Sequence, residues 1–262
     1  MVYAVEMKGI CKSFGGVKAL KYVDLELRQG EIMGSVGDNG AGKSTLMKIL
    51  SGAYQADKGE IHVFGDPVEI RNPLDSFNLG ISMIYQDLAL FNNLDVARNI
   101  FVGRELVWGP LGITLNKKGM YRRAEELIKD LRVDIKSPKL NVARMSGGQR
   151  QMIACARAIA FQSKIMILDE PTAALGVTEA NKLLGLIKNL KDLGQSILLI
   201  TQRIPDILAI ADHVFVLKGG VRQDILNVRD ITLDDVVTLI VKGKNGNGNN
   251  EIVDDIEYKS FG

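Results

Sequence analysis

The octapeptide Gly37-Asp38-Asn39-Gly40-Ala41-Gly42-Lys43-Ser44 follows an apolar run at 32–36 and precedes a helical pattern at 45–50. It matches the spacing GxxxxGK[ST], in which glycines let successive backbone N–H groups face one anion while a lysine and a helix N-terminus add positive charge. An ordinary glycine-rich turn is the alternative, but strand and helix flank this segment as phosphate binding requires. The predicted phosphate contacts are Asn39, Gly40, Gly42, Lys43, Ser44 and Thr45.

Short apolar runs alternate with helical periodicity along most of the chain, which is typical of βα units and a largely parallel sheet. The predicted strands lie at 32–36, 81–85, 165–168, 197–200 and 214–217. Apolar residues recur at helical spacing over 178–193, with Thr178 able to cap the start and Gly194 the end. The sequence therefore predicts an α/β fold.

A helical insertion interrupts this pattern. From about Asp87 to Gln162 the strand signal disappears and helical stretches dominate. We expect a core formed by residues 1–86 and 163–242, with a helical subdomain at 87–162 between its two parts. After Lys242 the chain becomes rich in Gly, Asn and Asp and lacks the apolar surface needed to order itself, so 243–262 is predicted to be a flexible tail.

Composition narrows the classes of function. The 262 residues carry a net charge of +2 from interspersed charges rather than a basic face, so we expect no nucleic-acid partner. The apolar runs are far too short to cross a bilayer, and the start of the sequence has no secretory signal pattern. Cys11 and Cys155 lack CxxC spacing, which favours apolar fillers in a reducing compartment. These features predict a cytoplasmic protein.

Several other polar residues are expected to have structural roles. His62 and His213 are isolated in sequence from other types of metal ligand, so we expect no metal site at either. Four basic residues are predicted to form one solvated helix face, and these are Lys117, Lys118, Arg122 and Arg123.

Two acids follow the predicted strand at 165–168. Asp169 is placed to hold Mg²⁺ together with the Ser44 hydroxyl, because Mg²⁺ prefers oxygen ligands. Glu170 then faces the water that attacks a phosphate. Adjacent acids after a strand are also common in solvated turns, but the phosphate loop favours the catalytic interpretation.

A second candidate anion site begins at Ser146-Gly147-Gly148-Gln149, directly before a predicted helix. Ser146 and Gln149 have the spacing of a capping box, which alone would explain both residues. Two glycines beside a helix N-terminus also suit an anion. Both interpretations remain open from the residues.

Four segments follow predicted strand ends: the phosphate loop, Gln86, the Asp169–Glu170 pair and Thr201–Gln202. In a parallel sheet the carboxyl ends of the strands lie at one edge. We therefore expect these segments to converge on one site.

In this order, the motifs resemble the nucleotide-binding subunit of an ATP-binding cassette transporter, and the resemblance covers roughly residues 3–242. It implies a P-loop NTPase (RecA-like) core with a mainly parallel sheet, an antiparallel β region near the N-terminus and an inserted α-helical subdomain. It also implies ATP and Mg²⁺ as cofactors, and ATP hydrolysis coupled to transport.

The resemblance assigns further roles. Two copies would face head to tail, so that Ser146, Gly148 and Gln149 serve the nucleotide of the partner copy. Gln86 would touch Mg²⁺ at the start of the helical subdomain, although a solvent-facing glutamine is the alternative. Phe14 would stack on adenine, with a core aromatic as the alternative.

The sequence departs from the family pattern at three positions. Gln202 replaces the usual histidine, and because a neutral amide bonds a phosphate less strongly than a cation does, we expect turnover to be about tenfold slower. Gly176 replaces an aspartate that signals across the dimer, which makes that signal uncertain. Met145 replaces a leucine, a swap of similar volume without expected effect.

Transport requires partners. The resemblance implies transmembrane permease subunits with a short cytoplasmic helix that docks around Gln86 to Pro110, and indirectly a solute-binding protein. Leu106, Val107, Trp108 and Leu111 form either an exposed apolar docking patch or the subdomain core. The chain would then lie on the inner face of the cell membrane as a peripheral protein.

The stretches at 169–177 and 200–216 most resemble monosaccharide importers of the ribose, xylose and fructose type, and branched-chain amino-acid importers are the alternative. A non-transport cassette ATPase acting on DNA or ribosomes would normally carry a coiled-coil insertion, a tandem cassette or basic extensions, and none is visible. A regulatory module that hydrolyses ATP slowly is a third alternative, favoured by Gln202.

Overall fold

A computed structural model describes residues 2–109, 114–131, 134–161 and 163–244. The strands are β1 (Tyr3–Phe14), β2 (Val17–Arg28), β3 (Ile32–Val36), β4 (Lys58–Val63), β5 (Asp66–Val68), β6 (Ile81–Ile84), β7 (Val107–Trp108), β8 (Thr114–Leu115), β9 (Ile165–Asp169), β10 (Ser196–Ile200), β11 (His213–Lys218) and β12 (Val221–Asn227). The helices are α1 (Lys43–Leu50), α2 (Pro73–Asn78), α3 (Val96–Phe101), α4 (Lys117–Asp130), α5 (Gly147–Ala160), α6 (Val177–Asp192), α7 (Ile204–Ile210) and α8 (Leu233–Lys242).

The central sheet has the order β12-β11-β3-β10-β9-β6. Its strands pair in parallel from β11 to β6, and only the edge strand β12 is antiparallel. Every residue of β3 and β10 is buried, as expected where helices cover both faces of a parallel sheet. The predicted α/β class and mainly parallel sheet are confirmed.

A second sheet, β2-β1-β4-β5, is antiparallel and contains the N-terminal strands. Its inward residues share one hydrophobic cluster with α1 and one face of the central sheet, including Val5, Leu25, Leu46 and Phe215. The predicted antiparallel region near the N-terminus is therefore confirmed, and it holds α1 against the central sheet.

The insertion lies between β6 and β9, which pair directly with each other. It contains α3, α4 and α5, which pack together around buried residues such as Ile100, Leu127 and Ile153. It also contains the short antiparallel pair β7–β8, so the prediction that strands are absent from 87–162 was wrong there. The division into core and subdomain at the proposed boundaries stays a prediction.

The predicted helix at 178–193 is present, but its first residues differ from the expectation. Helix α6 begins at Val177 after Gly176, without a side-chain cap, so Thr178 lies inside the helix rather than capping it. Gly194 follows the helix with a left-handed φ of 88°, as expected for its end. Leu111 and nearly all of the proposed tail, from residue 245 onward, lie outside the described residues.

The residues expected to be structural are placed accordingly. Burial raises the pKa of Cys155 to about 12, so its thiol stays neutral, and Cys11 is half-buried. The His213 ring bonds to Glu31 and Arg28. The four basic residues at 117–123 are exposed on α4, as predicted. Within the described ranges, no helix is both long and apolar enough to cross a membrane.

Candidate functional site

The phosphate loop joins β3 to α1 and requires glycine for steric reasons. Gly37, Gly40 and Gly42 have φ angles of 151°, 83° and 106°. A Cβ atom would lie 2.0 Å from the Leu217 carbonyl oxygen at Gly37, and 2.7 Å from the Ala19 carbonyl oxygen at Gly42. The backbone can therefore curl here only without side chains.

Helix α1 begins at the end of this loop. Its N-cap residue, Gly42, offers no side-chain cap, and its first turn carries no acid. The first N–H groups of the helix are thus available to an anion, and the helix dipole favours one. Ser44 and Thr45 lie half-buried in this first turn.

Lys43 is the buried cation of the site. Its Nζ donates to the carbonyl oxygens of Gly37 at 2.6 Å and Asp38 at 2.9 Å, which holds the ammonium over the loop. Burial lowers the Lys43 pKa, while the charges of Glu170, Asp38 and Asp169 oppose the shift. The two acids predicted from the sequence are therefore close enough to act on this lysine.

Asp169 is the last residue of β9, beside β10 in the sheet. Burial raises the pKa of its carboxyl, and the positive charges of Lys48 and Lys43 partly offset the shift. This half-buried carboxylate and the hydroxyl of Ser44 are the kind of oxygen donors that Mg²⁺ prefers. The donor set of Ser44 and Asp169 therefore fits this ion.

Glu170 has an unusual backbone conformation. Its φ is 49°, in the left-handed region, and its N–H donates to the Ile200 carbonyl at 2.8 Å. The backbone N–H of Gln202 donates to its Oε2 at 3.3 Å. Burial raises the Glu170 pKa, which the hydrogen bonds from Gln202 and Thr201 oppose. A raised pKa makes the carboxylate a better proton acceptor.

Gln202 lies between two predicted site elements. Its Nε2 donates to the Oδ1 of Asn39 in the phosphate loop at 2.9 Å, in addition to its backbone contact with Glu170. Strands β3, β10 and β9 are consecutive in the sheet, which brings their following loops together. The predicted convergence of these three segments is confirmed by these contacts.

Gln86 follows β6, the neighbour of β9 on the far side. Its side chain is exposed, which is compatible both with an approach to a bound ion and with simple solvation. Its role in nucleotide sensing stays a prediction.

Phe14 is 43% exposed at the end of β1, so the alternative of a core aromatic was wrong. Its ring meets Tyr54 edge to face with centroids 5.2 Å apart, and Lys12 Nζ lies 5.6 Å from its centroid. An exposed ring held by a second ring offers a flat face to a base. Sequence reasoning missed Tyr54, although its place just after α1 was a usable signal.

Ser146 caps α5 through a full capping box: its Oγ accepts from the Gln149 N–H, and its own N–H donates to Gln149 Oε1. Gln149 Nε2 donates to the Asp134 carbonyl at 2.8 Å. A Cβ at Gly148 would come 3.3 Å from Glu179 of α6, so this glycine allows close packing. The capping interpretation is confirmed, and the phosphate role of Ser146, Gly148 and Gln149 stays a prediction.

A buried network behind the site was also missed from the sequence. The Thr172 hydroxyl donates to Asp206 Oδ2 at 2.7 Å, and Arg203 Nε lies 3.3 Å from the same oxygen. Asp206 is 6% exposed. It therefore ties the segment after Glu170 to the helix after Gln202.

The sequence profile of the family described as ABC transporter matches residues 20–173. The chain is also 43% identical over 245 residues to the xylose/arabinose import ATP-binding protein XylG of Sulfolobus acidocaldarius. The matched residues cover 92% of this chain and 96% of that protein. The chain belongs to the ABC transporter family. As a member of this family it is an ATPase subunit that binds nucleotide.

Two further comparisons agree with this membership. The fructose import ATP-binding protein FrcA of Rhizobium meliloti is 39% identical over 242 residues, covering 90% of this ABC chain and 93% of that protein. A dimeric ATP-binding cassette, solved after hydrolysis with ADP and phosphate bound, superposes with a TM-score of 0.70 at 25% identity, covering 87% of this chain and all of that one. The predicted family and fold are confirmed.

Proposed function

We propose that this chain is the ATP-hydrolysing subunit that powers an importer for a monosaccharide. The observation that carries the chemistry is the single cluster at the carboxyl edge of β3, β10 and β9, where Lys43, Asn39, Glu170 and Gln202 meet. The observation that carries the solute class is that the relatives at 39–43% identity are named sugar import proteins.

Each residue of the cluster has one task in this proposal. The curled backbone and Lys43 hold the β and γ phosphates, and Glu170 accepts a proton from the attacking water. Ser44 and Asp169 would hold a Mg²⁺ ion, which would supply positive charge against the phosphates. Phe14 stacks on the adenine and Gln202 hydrogen-bonds the γ-phosphate.

The proposal includes a head-to-tail dimer in which Ser146 has a role. Ser146 is exposed at the start of α5, where a second copy could approach it. In the proposed head-to-tail pair, each exposed Ser146 meets the nucleotide of the other copy. The dimeric relative supports this arrangement.

The first experiment measures phosphate release from purified protein with ATP, with and without Mg²⁺. Wild type should hydrolyse only with Mg²⁺, and Lys43→Ala should lose binding and turnover. Lys188→Ala, an exposed lysine on α6, is the matched control and should behave as wild type. Wild-type protein that fails to retain MgATP would contradict the proposal.

The permease is proposed to dock on the exposed side of the insertion. Leu106, Val107 and Trp108 are exposed, Trp108 by 61%, so of the two alternatives the docking patch rather than the subdomain core agrees with the structure. Beside them lies a cavity of about 300 Å³ lined by Leu94, Ala97, Met120 and Tyr121 among others. An apolar patch next to an apolar cavity suits a short amphipathic helix.

Docking is tested by coexpression with a candidate sugar permease and copurification of the two proteins. Trp108→Ser should weaken copurification while ATP binding stays unchanged. Leu74→Ser, which also alters a side chain 61% exposed but lies on α2, is the control. The solute class is then tested with the reassembled importer and its solute-binding protein. Uptake is measured with monosaccharides and, separately, with branched-chain amino acids.

A slowly hydrolysing regulatory module is the second candidate. It is favoured by Gln202, which cannot become cationic at the position where the family usually has a histidine. Turnover of wild type at saturating MgATP separates the two functions. A transport ATPase should release phosphate continuously, whereas a regulatory module should bind ATP and release phosphate only slowly.

A further inference from the structure

One side chain links the phosphate loop to the acid that acts on water. Gln202 Nε2 donates to Asn39 Oδ1 at 2.9 Å, across 163 residues of sequence. The backbone N–H of the same residue donates to Glu170 Oε2 at 3.3 Å. Gln202 therefore contacts both groups whose relative position determines whether water can be aimed at a phosphate.

The Asn39 end of this link is held by the phosphate loop. Asn39 lies between Gly37 and Gly40, whose left-handed backbone fixes the course of the loop. The carbonyl of the preceding Asp38 accepts from both the Ala41 N–H and Lys43 Nζ. The side-chain carbonyl of Asn39 thus projects from a loop whose backbone is held by hydrogen bonds.

The Gln202 end is held from the other side. Thr201 is buried, and its Oγ1 accepts the N–H of Arg203 at 3.0 Å. Arg203 in turn pairs with the buried Asp206. Only the long side chain of Gln202 remains to be ordered, and its bond to Asn39 orders it.

We propose that Asn39 is a positioning residue for hydrolysis, which holds the Gln202 side chain and, through the Gln202 backbone, the carboxylate of Glu170. This inference rests on the proposed ATPase function of the same site. Its consequence is that Asn39 affects the chemical step through Gln202, rather than through the affinity for nucleotide.

The chemistry of an amide suits this double task. The side-chain NH₂ of glutamine carries two hydrogens, so one can bond Asn39 while the second faces a phosphate oxygen. A neutral imidazole has one N–H and cannot make both bonds, so a histidine here would have to be protonated to keep the Asn39 contact while it bonds a phosphate. The pairing with Asn39 thus gives a reason for a glutamine at position 202.

The test is a double-mutant cycle on turnover at saturating MgATP. Asn39→Ala keeps the backbone N–H groups of the phosphate loop, so it should lower kcat about five- to tenfold and change the nucleotide Kd less than about twofold. Gln202→Ala should lower kcat at least as much, because it also loses the bond to the γ-phosphate. The double variant should be no slower than the slower single variant, because each single variant already removes the bond between Asn39 and Gln202. The exchanged pair, Asn39→Gln with Gln202→Asn, conserves the combined length and should recover at least half of the lost rate.

Gln55 provides a matched control. Its Nε2 bonds the Arg71 carbonyl at the exposed surface, away from the site. Gln55→Ala should leave kcat unchanged, alone or combined with Asn39→Ala. The proposal is overturned if the Asn39 and Gln202 effects multiply, or if the loss appears in Kd rather than in kcat.

A measurement that needs no hydrolysis separates this inference from the proposed function. The side-chain NH₂ signal of Gln202, assigned from its loss in Gln202→Ala, should shift in nucleotide-free protein when Asn39 becomes alanine. An unchanged signal overturns the positioning role alone. Wild-type protein that binds no MgATP overturns the proposed function, whatever this signal does.

Discussion

The carboxyl edge of the central sheet and the start of α5 differ in how their polar groups are satisfied. At the sheet edge, groups from separate loops bond one another, as Asn39 does with Gln202 and Gln202 with Glu170. At the start of α5, Ser146 and Gln149 bond each other, and Gln149 also bonds the nearby Asp134 backbone. Ser146 itself is exposed.

This difference suits a nucleotide site that is divided between the sheet edge of one copy and the α5 start of another. The sheet edge already gathers a cation, two acids and an uncapped helix start within one chain. The α5 start is a stable, self-capped surface element that points outward. In the proposed dimer, the first region would hold a nucleotide and the second would contact the nucleotide of the other copy.

The variant with the largest expected effect is Glu170→Gln, which removes the proton acceptor from the sheet edge and leaves the start of α5 unchanged. Because the amide cannot accept a proton, hydrolysis should fall at least 100-fold while MgATP binding persists. The bound nucleotide should then hold two copies together, which size-exclusion chromatography with MgATP would detect. Glu125→Gln, an exposed glutamate on α4, should retain full activity and remain monomeric. Residual hydrolysis near the wild-type rate would contradict the role of Glu170.

Substitution of Ser146 sharpens the comparison by separating capping from phosphate binding. Aspartate caps helices as well as serine, so Ser146→Asp should keep the stability of α5 while its charge repels the phosphate of the partner copy. We expect hydrolysis to fall at least tenfold with unchanged thermal unfolding. Ser146→Ala should instead lose about 1 kcal/mol of stability. Full activity of Ser146→Asp would leave only the capping role.

Gln202→His tests whether the sheet edge is limited by a neutral donor. A protonated imidazole bonds phosphate more strongly than an amide, by about 1 kcal/mol or more, so turnover should rise about tenfold. Steady-state phosphate release at saturating MgATP measures it. If the rate does not increase, the amide does not limit the chemical step.

The smallest expected effect concerns Cys155, on the same helix as Ser146. With a pKa of about 12 and full burial, its thiol should react with alkylating reagents only after unfolding. Mass spectrometry after labelling at pH 8 measures this protection. The thiol should stay protected in Ser146→Ala, because the core side of α5 does not depend on its cap. Rapid labelling would show that the cap holds the whole helix.

Much of the fold was predictable because buried parallel strands carry continuous apolar runs. The run at 32–36 coincides with β3, and the strands at 81–84, 165–169, 196–200 and 213–218 lie within one residue of the predicted bounds. The hairpin β7–β8 was missed, since strands of two residues have no periodicity. Thr178 was placed at the cap because capping residues two positions apart cannot be distinguished by pattern alone.

The candidate site was predictable as a set of loops but not as a set of contacts. Which loops converge follows from strand ends in a parallel sheet, and this required only the motif order. The bond between Asn39 and Gln202 depends on β3 and β10 being neighbours, which the sequence does not state. Likewise Asp206 is one of several acids in helices, and only its burial beside Thr172 distinguishes it.

The direct pairing of β6 with β9 makes the helical insertion a side branch of the sheet. Four residue pairs, from Ile81 with Ile165 to Ile84 with Leu168, set the register of these two strands, and α5 of the insertion packs against β6. Changes confined to the exposed β7–β8 hairpin of the branch should therefore leave the spacing between Asp169 and the phosphate loop unchanged. A surface built there can adapt to different partners while the chemistry at the sheet edge stays the same.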